Sequence, residues 1–299
     1  MLEELKKKFK ERDRALSVLS KDGSFRASIV RNTYTAVIAQ EKHNLSHIPA
    51  FYLAKTLTAA TMISIFLKGE ERIMIDFAGD GILKKIYAEV LHLGECRGFV
   101  EVTEDKKIDS LSEILGTGTL TVKRILYNQF EPIVGIVPIQ KGDITSDLEY
   151  YFSQSEQIDT GIILDAKMDD NGILISSGGL MVQAMPGTKK ETINDIINSI
   201  NNTTSSICNE LEQNHSLEHI LIKLLPFEFH KLKSNQIDFY CRCSAENFKD
   251  KLQLLDVKDI QEMKKSGQNE LVCQFCNKHY YLTDADFGML IYQSSKRTK

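Results

Sequence analysis

Two short cysteine motifs near the end of the chain, Cys241-Arg242-Cys243 and Cys273-Gln274-Phe275-Cys276, decide how its last segment can fold. About 30 residues separate the motifs, and two such pairs around a small subdomain are typical of a tetrahedral zinc site. As thiolates the four sulfurs hold a metal ion, and as disulfides they release it. The spacing therefore predicts one Zn²⁺ per chain, bound by Cys241, Cys243, Cys273 and Cys276. It leaves open whether the site is a permanent zinc ribbon or a redox switch.

Length and composition favour a soluble globular protein with more than one domain. The chain has 299 residues, which exceeds the size at which a single hydrophobic core stops growing. Hydrophobic residues make up 42% and charged residues 26%, as in ordinary globular proteins. The formal net charge of −4 provides no overall attraction to nucleic acid or to an anionic membrane. We therefore expect neither of these as a partner.

The start of the sequence and its apolar runs predict a cytoplasmic protein. Met1-Leu2-Glu3-Glu4 is acidic where a secretory signal is basic. The most apolar run, from Ala59 to Leu67, contains Thr61 and Ser64 and is too short to span a bilayer. In the cytoplasm, cysteines serve as ligands, sensors or core residues more often than as structural disulfides.

Residues 1–186 combine strand and helix patterns and predict an α+β domain with largely antiparallel sheets. We expect an amphipathic helix over residues 2–9 and a core helix after Pro49, since proline suits the first helical position. The predicted strands are 72–77, 82–90, 98–102, 118–123, 133–139, 162–169 and 173–175. Asn171-Gly172 between the last two predicts a type I′ hairpin turn.

Residues 187–238 predict a helical, redox-sensitive linker. An apolar helix face within residues 193–200 resumes within 207–225, after the polar run 201–206. Helices rich in Asn, Ser and Thr are intrinsically weak. We therefore expect the linker to depend on tertiary packing and to unfold conditionally.

Residues 239–299 predict a small C-terminal zinc-binding domain that contains all four cysteine ligands. Ser244 and Asp256 could each cap a helix, and Thr283 begins a last helix with a capping-box spacing. Segments 271–272 and 280–282 would flank the second cysteine motif as a hairpin. A segment of this size buries too little apolar surface to be stable by packing alone, and small domains commonly gain the missing stability from a bound metal ion.

The sequence resembles the 33 kDa redox-regulated heat-shock chaperone family, a family of bacterial holdases. The similar stretches are Gly23-Ser24-Phe25-Arg26-Ala27, residues 116–122, 150–157 and 178–187, and both cysteine motifs. They extend over nearly the full length of the chain. The motifs lie where the family keeps its metal ligands.

The resemblance implies a mechanism that spacing alone does not provide. The reduced, zinc-bound protein would be folded and inactive as a chaperone. Oxidation would form disulfides between Cys241 and Cys243 and between Cys273 and Cys276, release zinc, and unfold the C-terminal domain with its linker. The exposed apolar surface would then bind unfolding client proteins without ATP under oxidative and heat stress, often as a homodimer. No enzymatic activity is implied.

Two other function classes use the same cysteine pattern. A constitutive zinc-ribbon nucleic-acid-binding protein is the alternative function, but it needs basic and aromatic residues clustered near the metal. Few residues would meet this need: Arg242, Lys278, His279 and the tail residues Lys296, Arg297 and Lys299. A zinc hydrolase needs an open coordination position. Four thiolates fill all four coordination positions of the zinc ion, so a zinc hydrolase is the least favoured of these functions.

The other cysteines and the paired histidines are predicted to have no part in the switch. We expect Cys96 and Cys208 to be plain buried or half-buried thiols. His43 and His47 are four residues apart, as are His215 and His219. Neither pair has a Glu directly after its first His, which the zinc-protease motif requires. We therefore expect these histidines to have surface or capping roles.

Overall fold

The computed structural model describes residues 13–91, 93–103, 110, 112–127, 129–203, 205–225 and 227–297. The chain forms two compact units, Met1–Tyr240 and Cys241–Lys299. The helix predicted over residues 2–9 lies outside the described residues. The predicted boundaries between the first domain and the linker, at 186/187, and between the linker and the C-terminal domain, at 238/239, stay a prediction. They concern which segments unfold separately on oxidation. Within the described ranges, no helix is both long and apolar enough to cross a membrane.

The elements follow in chain order. The strands are β1 (Arg14–Ser20), β2 (Phe25–Arg31), β3 (Arg72–Gly79), β4 (Leu83–Leu91), β5 (Glu95–Val102), β6 (Gly118–Ile125), β7 (Ile133–Pro138), β8 (Thr160–Met168), β9 (Leu174–Ala184), β10 (Phe229–Gln236), β11 (Asp238–Phe239), β12 (Glu270–Val272) and β13 (His279–Tyr281). The helices are α1 (Thr33–Lys42), α2 (His47–Ser64), α3 (Ser112–Leu115), α4 (Ile144–Tyr151), α5 (Lys190–Asn201), α6 (Ile207–Glu212), α7 (Leu217–Leu224), α8 (Ala245–Leu252), α9 (Val257–Lys265) and α10 (Asp284–Arg297). A π-helical turn, Phe152–Glu156, continues α4.

Two sheets build the first unit, and the prediction of an α+β fold with largely antiparallel sheets is confirmed. One sheet has the order β10-β1-β2-β9-β8, and the other has the order β11-β5-β4-β3-β6-β7. All neighbours are antiparallel except β11 and β5, which pair in parallel. The predicted core helix is α2, which contacts strands of both sheets. Its buried Thr56, Thr58 and Thr61 each donate a hydrogen bond to the carbonyl four residues earlier, so their hydroxyls are satisfied inside the core.

The segment predicted as the linker is packed onto the first sheet. Helices α5, α6 and α7 cover one face of the strands β1, β2 and β9. The contact joins apolar residues from the helices to apolar residues of the sheet: Ile193, Ile196, Ile200, Ile207, Ile220 and Leu221 with Leu16, Val18, Phe25, Ile29, Leu180 and Val182. Within the predicted helical segment, residues 229–236 form strand β10 instead. This strand pairs with β1 from Arg14 opposite Gln236 to Ser20 opposite Phe229.

The turn between β8 and β9 differs from the predicted type I′ turn. Gly172 has φ +76°, but Asn171 is not among the residues with positive φ, and a type I′ turn needs both. The Gly172 N–H donates to the Asp169 carbonyl, and the Asp169 N–H donates to the Ile173 carbonyl. One oxygen of the Asp169 carboxylate also accepts from the N–H groups of Asn171 and Ile173. These bonds favour a three-residue loop with glycine alone in the left-handed region.

The second unit is small and depends on local capping. Ser244 caps α8 by accepting from the Asn247 N–H, as predicted. Asp256 precedes α9 without a side-chain capping bond. Thr283 and Asp286 exchange hydrogen bonds as the predicted capping box. The apolar cluster contains four buried residues: Ile260, Leu282, Phe287 and Leu290.

Candidate metal centre

The two cysteine motifs meet in the second unit because each occupies a short connection between elements. Cys241 and Cys243 follow β11 and precede the Ser244 cap of α8. Cys273 and Cys276 lie in the turn between β12 and β13, whose predicted hairpin pairing is confirmed. The Cys273 N–H donates to the Lys278 carbonyl, and Asn277 adopts φ +54°. This tight turn places both of its sulfurs on the side where the first motif lies.

The four sulfurs form one cluster with the dimensions of a zinc site. The sulfurs of Cys241 and Cys273 are 3.6 Å apart, and those of Cys243 and Cys276 are 3.4 Å apart. All four lie within 4.8 Å of one another. A tetrahedron with Zn–S bonds of about 2.3 Å has edges of about 3.8 Å. All-sulfur tetrahedral sites select zinc or iron–sulfur centres, so this group of four cysteines, none of them in a disulfide, fits a Zn²⁺ ion.

Tyr280 on β13 supports one sulfur of the cluster. Its hydroxyl donates a 2.9 Å hydrogen bond to the Cys243 carbonyl and lies 3.2 Å from the Cys243 sulfur. Partial burial opposes ionisation of Cys243, but hydrogen bonds from Tyr280 and then from Cys276 outweigh it and lower its pKa to about 7. Burial raises the pKa of Cys276. The cluster can therefore hold a thiolate near neutral pH, which is the form that binds metal and reacts with oxidants.

The side chains that a nucleic-acid-binding ribbon would use are occupied within the chain. His279 Nδ1 lies 2.7 Å from the Glu270 carboxylate, and the Tyr281 hydroxyl donates to that same carboxylate. The Lys278 ammonium lies 5.0 Å from the centre of the Tyr280 ring. These contacts reduce the positive charge and the free aromatic surface near the sulfurs. They do not favour the nucleic-acid alternative.

Cys96 and Cys208 lie in the first unit, and their predicted burial is confirmed. Both side chains are fully buried. Burial is the largest cause that raises the pKa of each thiol, to about 12. The Cys96 sulfur lies 3.9 Å from the Thr61 hydroxyl, and the Cys208 N–H donates to the Asp165 carboxylate. Protonated, enclosed thiols of this kind react slowly with oxidants.

A second group of possible ligands was not predicted from the sequence. Glu210, His215 and His219 bring ligand atoms within 4.8 Å of one another, with His215 Nδ1 2.8 Å from the Glu210 carboxylate. Lys223 also forms an ion pair with this carboxylate. A cation bound there would meet the lysine charge, so the group is better explained as an ion-pair network between α6 and α7. The four-residue spacing of His215 and His219 did not indicate that Glu210 lies beside them.

Comparisons with known proteins agree with the fold and the cluster. The sequence model of the family described as Hsp33 protein matches residues 13–283. The chain is 30% identical over 292 residues to a 33 kDa chaperonin of Streptococcus agalactiae, covering 95% of this chain and 100% of the relative. It is 31% identical over 287 residues to a 33 kDa chaperonin of Geobacillus, covering 93% and 97%.

A solved structure supports the same relationship. The crystal structure of the 33 kDa chaperonin, a heat shock protein 33 homolog, from Thermotoga maritima matches with a TM-score of 0.85 and 27% identity. The match covers 95% of this chain and 99% of that chain. With a four-cysteine cluster consistent with zinc, the chain belongs to the Hsp33 family of chaperones.

Proposed function

We propose that this protein is an ATP-independent holdase controlled by the redox state of Cys241, Cys243, Cys273 and Cys276. The observation that carries the proposal is the single cluster of their four sulfurs, in a chain of the Hsp33 family. In the reduced state the four residues are the ligands of one Zn²⁺, and the protein is inactive as a chaperone. Its partners are unfolding proteins, its compartment is the cytoplasm, and its active form is a homodimer.

The reduced state keeps the second unit folded. A Zn²⁺ ion bound by four thiolates supplies a cross-link worth roughly 10–16 kcal/mol in small zinc-dependent domains. Net stabilities of whole domains are ~5–15 kcal/mol. Among the described residues of the unit, its core cluster has only four buried apolar side chains, so its fold depends on the four sulfurs remaining together.

Oxidation removes these ligands in pairs. Two cysteine thiolates lose two electrons to one peroxide molecule, which takes up two protons from the solvent and is reduced to two waters, and one S–S bond forms. Repeated once, the reaction uses all four sulfurs. We assign the bonds to Cys241 with Cys243 and to Cys273 with Cys276. A sulfur in a disulfide no longer carries the negative charge that binds a cation, so the unit loses its cross-link and unfolds.

The linker connects this event to an apolar surface. β10 ends at Gln236, and only β11 lies between it and Cys241. The helices α5, α6 and α7 cover apolar side chains of β1, β2 and β9, including Leu16, Val18 and Leu180, which are each less than 2% exposed. If unfolding extends from residue 241 into the linker, this sheet face is uncovered. A broad apolar face of this kind binds unfolded chains without sequence specificity.

A combined zinc, thiol and aggregation assay tests the proposal. The reduced protein is treated with peroxide at mildly raised temperature, while zinc release, free thiols and light scattering by a thermally unfolding client are followed. We expect loss of four thiols, release of about one zinc ion per chain, and suppression of aggregation on the same time course. Equal suppression by the reduced protein would contradict the switch, while absence of suppression in both states would contradict the holdase role.

A further inference from the structure

A cavity of about 120 Å³ lies within the first unit, at the C-terminal end of α2 between the two sheets. Arg26 and Gln183 reach it from β2 and β9 of one sheet, and Arg124 reaches it from β6 of the other. Its apolar wall is formed by α2 and the turns that follow α2 and α4, through Ile63, Phe66, Leu67 and Phe152. Neither the zinc cluster nor the client surface uses this cavity.

Arg124 has a donor in this region without an acceptor. Its Nη2 forms a 2.6 Å ion pair with the Glu156 carboxylate. Its Nε is buried, and it has no hydrogen-bond partner among the described residues. A buried guanidinium N–H that lacks an acceptor is costly and uncommon in folded proteins. A ligand oxygen at Nε would remove this cost.

Arg26 adds a second, oriented guanidinium. Its Nε and Nη2 both donate to the Gln183 side-chain oxygen, at 3.1 Å and 2.9 Å. Its plane is held against the Phe66 ring, with 4.1 Å between Cζ and the ring centre. Burial, and then the positive charge of Arg124, lower the pKa of Arg26. The two cations therefore line the same cavity, and Glu156 offsets their repulsion only in part.

The surrounding charges favour an anion. Glu156 is the carboxylate that interacts with both arginines, and it also accepts a 2.7 Å hydrogen bond from the Tyr151 hydroxyl. Among the described residues that Arg26 and Arg124 interact with, two guanidinium groups against one carboxylate leave an excess positive charge. The C-terminal end of α2 opposes an anion through its helix dipole. The Lys233 ammonium offsets this effect, since it donates to the carbonyls of Ile65 and Leu67.

The size of the cavity limits what can bind. A cavity of about 150 Å³ accommodates benzene. This one is slightly smaller, so it suits an ion such as phosphate or a short carboxylic acid whose apolar part contacts Ile63 and Phe152. We propose that Arg26 and Arg124 form a binding site for a small oxyanion, which bridges the two sheets of the first unit. Planar guanidinium groups recognise carboxylate and phosphate oxygens in this way.

The arginine Nε–H signals in a ¹⁵N–¹H NMR spectrum of the full-length, reduced, zinc-loaded protein test the site directly. Inorganic phosphate and acetate are titrated separately against chloride at constant ionic strength. We expect a saturable shift of the Arg26 and Arg124 signals with at least one of the two ions. Saturation with phosphate alone identifies a phosphate ligand, and saturation with acetate identifies a carboxylate ligand. Linear, unsaturated shifts with both ions would overturn the proposal.

Two variants separate binding from folding. Arg124→Lys keeps a positive charge opposite Glu156 but lacks the Nε–H donor, and we expect it to weaken the ion's affinity at least tenfold. Arg14→Lys, at an exposed position of β1, is the matched control and should bind as the wild type does. Thermal unfolding in chloride alone verifies that both variants fold. Equal affinity of the folded Arg124→Lys variant and the wild type would also overturn the site.

Discussion

The sulfur of Cys243 lies 3.4 Å from the sulfur of Cys276, its neighbour in the other cysteine motif. The proposed disulfides instead join residues within each motif. Because all four sulfurs lie within 4.8 Å of one another, proximity in the folded cluster does not select a pairing. Chain separation does: as oxidation begins to loosen the unit, residues two or three positions apart meet far more often than residues across the subdomain.

We therefore expect peroxide to produce disulfides within the motifs. Peptide mapping by mass spectrometry after digestion without reductant should find Cys241 bonded to Cys243 and Cys273 bonded to Cys276. Cys96 and Cys208 should be recovered as thiols, because both are fully buried and burial raises the pKa of each. A majority of molecules with Cys243 bonded to Cys276 would contradict the assignment and favour oxidation within the folded cluster.

Removal of one ligand should unfold the second unit without any oxidant. For Cys276→Ser we expect at least about tenfold weaker zinc binding and rapid proteolysis after residue 240 under reducing conditions, since metal binding supplies the folding energy. Zinc content and limited proteolysis measure both effects. Cys208→Ala is the control, because this cysteine lies in the first unit. The Cys208→Ala protein should keep its zinc and its resistance to proteolysis. A stable, protease-resistant Cys276→Ser unit would show that the sulfurs do not maintain this fold.

The linker can be loosened independently of the cysteines. Ile220 on α7 is 0% exposed, whereas Ile222 on the same helix is 70% exposed. Replacing a buried isoleucine with alanine costs about 2–5 kcal/mol. We expect Ile220→Ala to increase hydrogen exchange across α5, α6 and α7 and to give the reduced protein partial activity against client aggregation. Ile222→Ala should leave both measurements unchanged.

The two outcomes of the linker experiment have separate meanings. Faster exchange with activity supports the sheet face under α5–α7 as the client surface. Faster exchange without activity would place the client surface elsewhere, and the proposed role of this face would then be wrong.

The four-cysteine cluster could be predicted because its signal is local and chemical. Four cysteines at the spacing of metal ligands indicate the candidate donor atoms whatever the remaining fold is. The strands β3 to β7 were predicted near their observed positions for a similar reason, since their apolar residues form distinct runs. Tyr280 was predicted only as part of a hairpin. Its contact with Cys243 depends on the folding of the whole subdomain.

Features that depend on distant pairing were missed. β10 contains His230, Lys231, Lys233 and Gln236, and it is a strand because it pairs with β1, more than 200 residues earlier in the chain. The strands β1 and β2 were not predicted either, because Ser17, Arg26 and Ser28 interrupt their apolar residues. The arginine site combines Arg26 with Arg124 from different sheets, and no sequence spacing connects them.

Asp13 gives the first unit a pH dependence that is independent of the switch. Its carboxylate accepts hydrogen bonds from the N–H groups of Tyr34 and Thr35 and from the Thr35 hydroxyl. Burial outweighs these bonds and raises the pKa of Asp13 from 3.8 to about 7. Between these values the folded protein keeps a proton that the unfolded chain releases. The stabilising contribution is therefore complete below pH 3.8 and is lost as the pH rises to about 7.

We expect Asp13→Asn to remove this part of the pH dependence, because asparagine keeps an acceptor oxygen but does not titrate. Between pH 3.8 and about 7, the contribution of Asp13 to the free energy of unfolding changes by at most ~4 kcal/mol. Urea unfolding of the reduced, zinc-bound protein at pH 5, 6 and 7 measures it. The free energy of unfolding should fall less steeply with rising pH in Asp13→Asn than in the wild type, while the exposed hairpin variant Asp170→Asn should follow the wild type. Parallel curves for Asp13→Asn and the wild type would show that the Asp13 carboxyl is already ionised throughout this range, and that its three hydrogen bonds outweigh its burial.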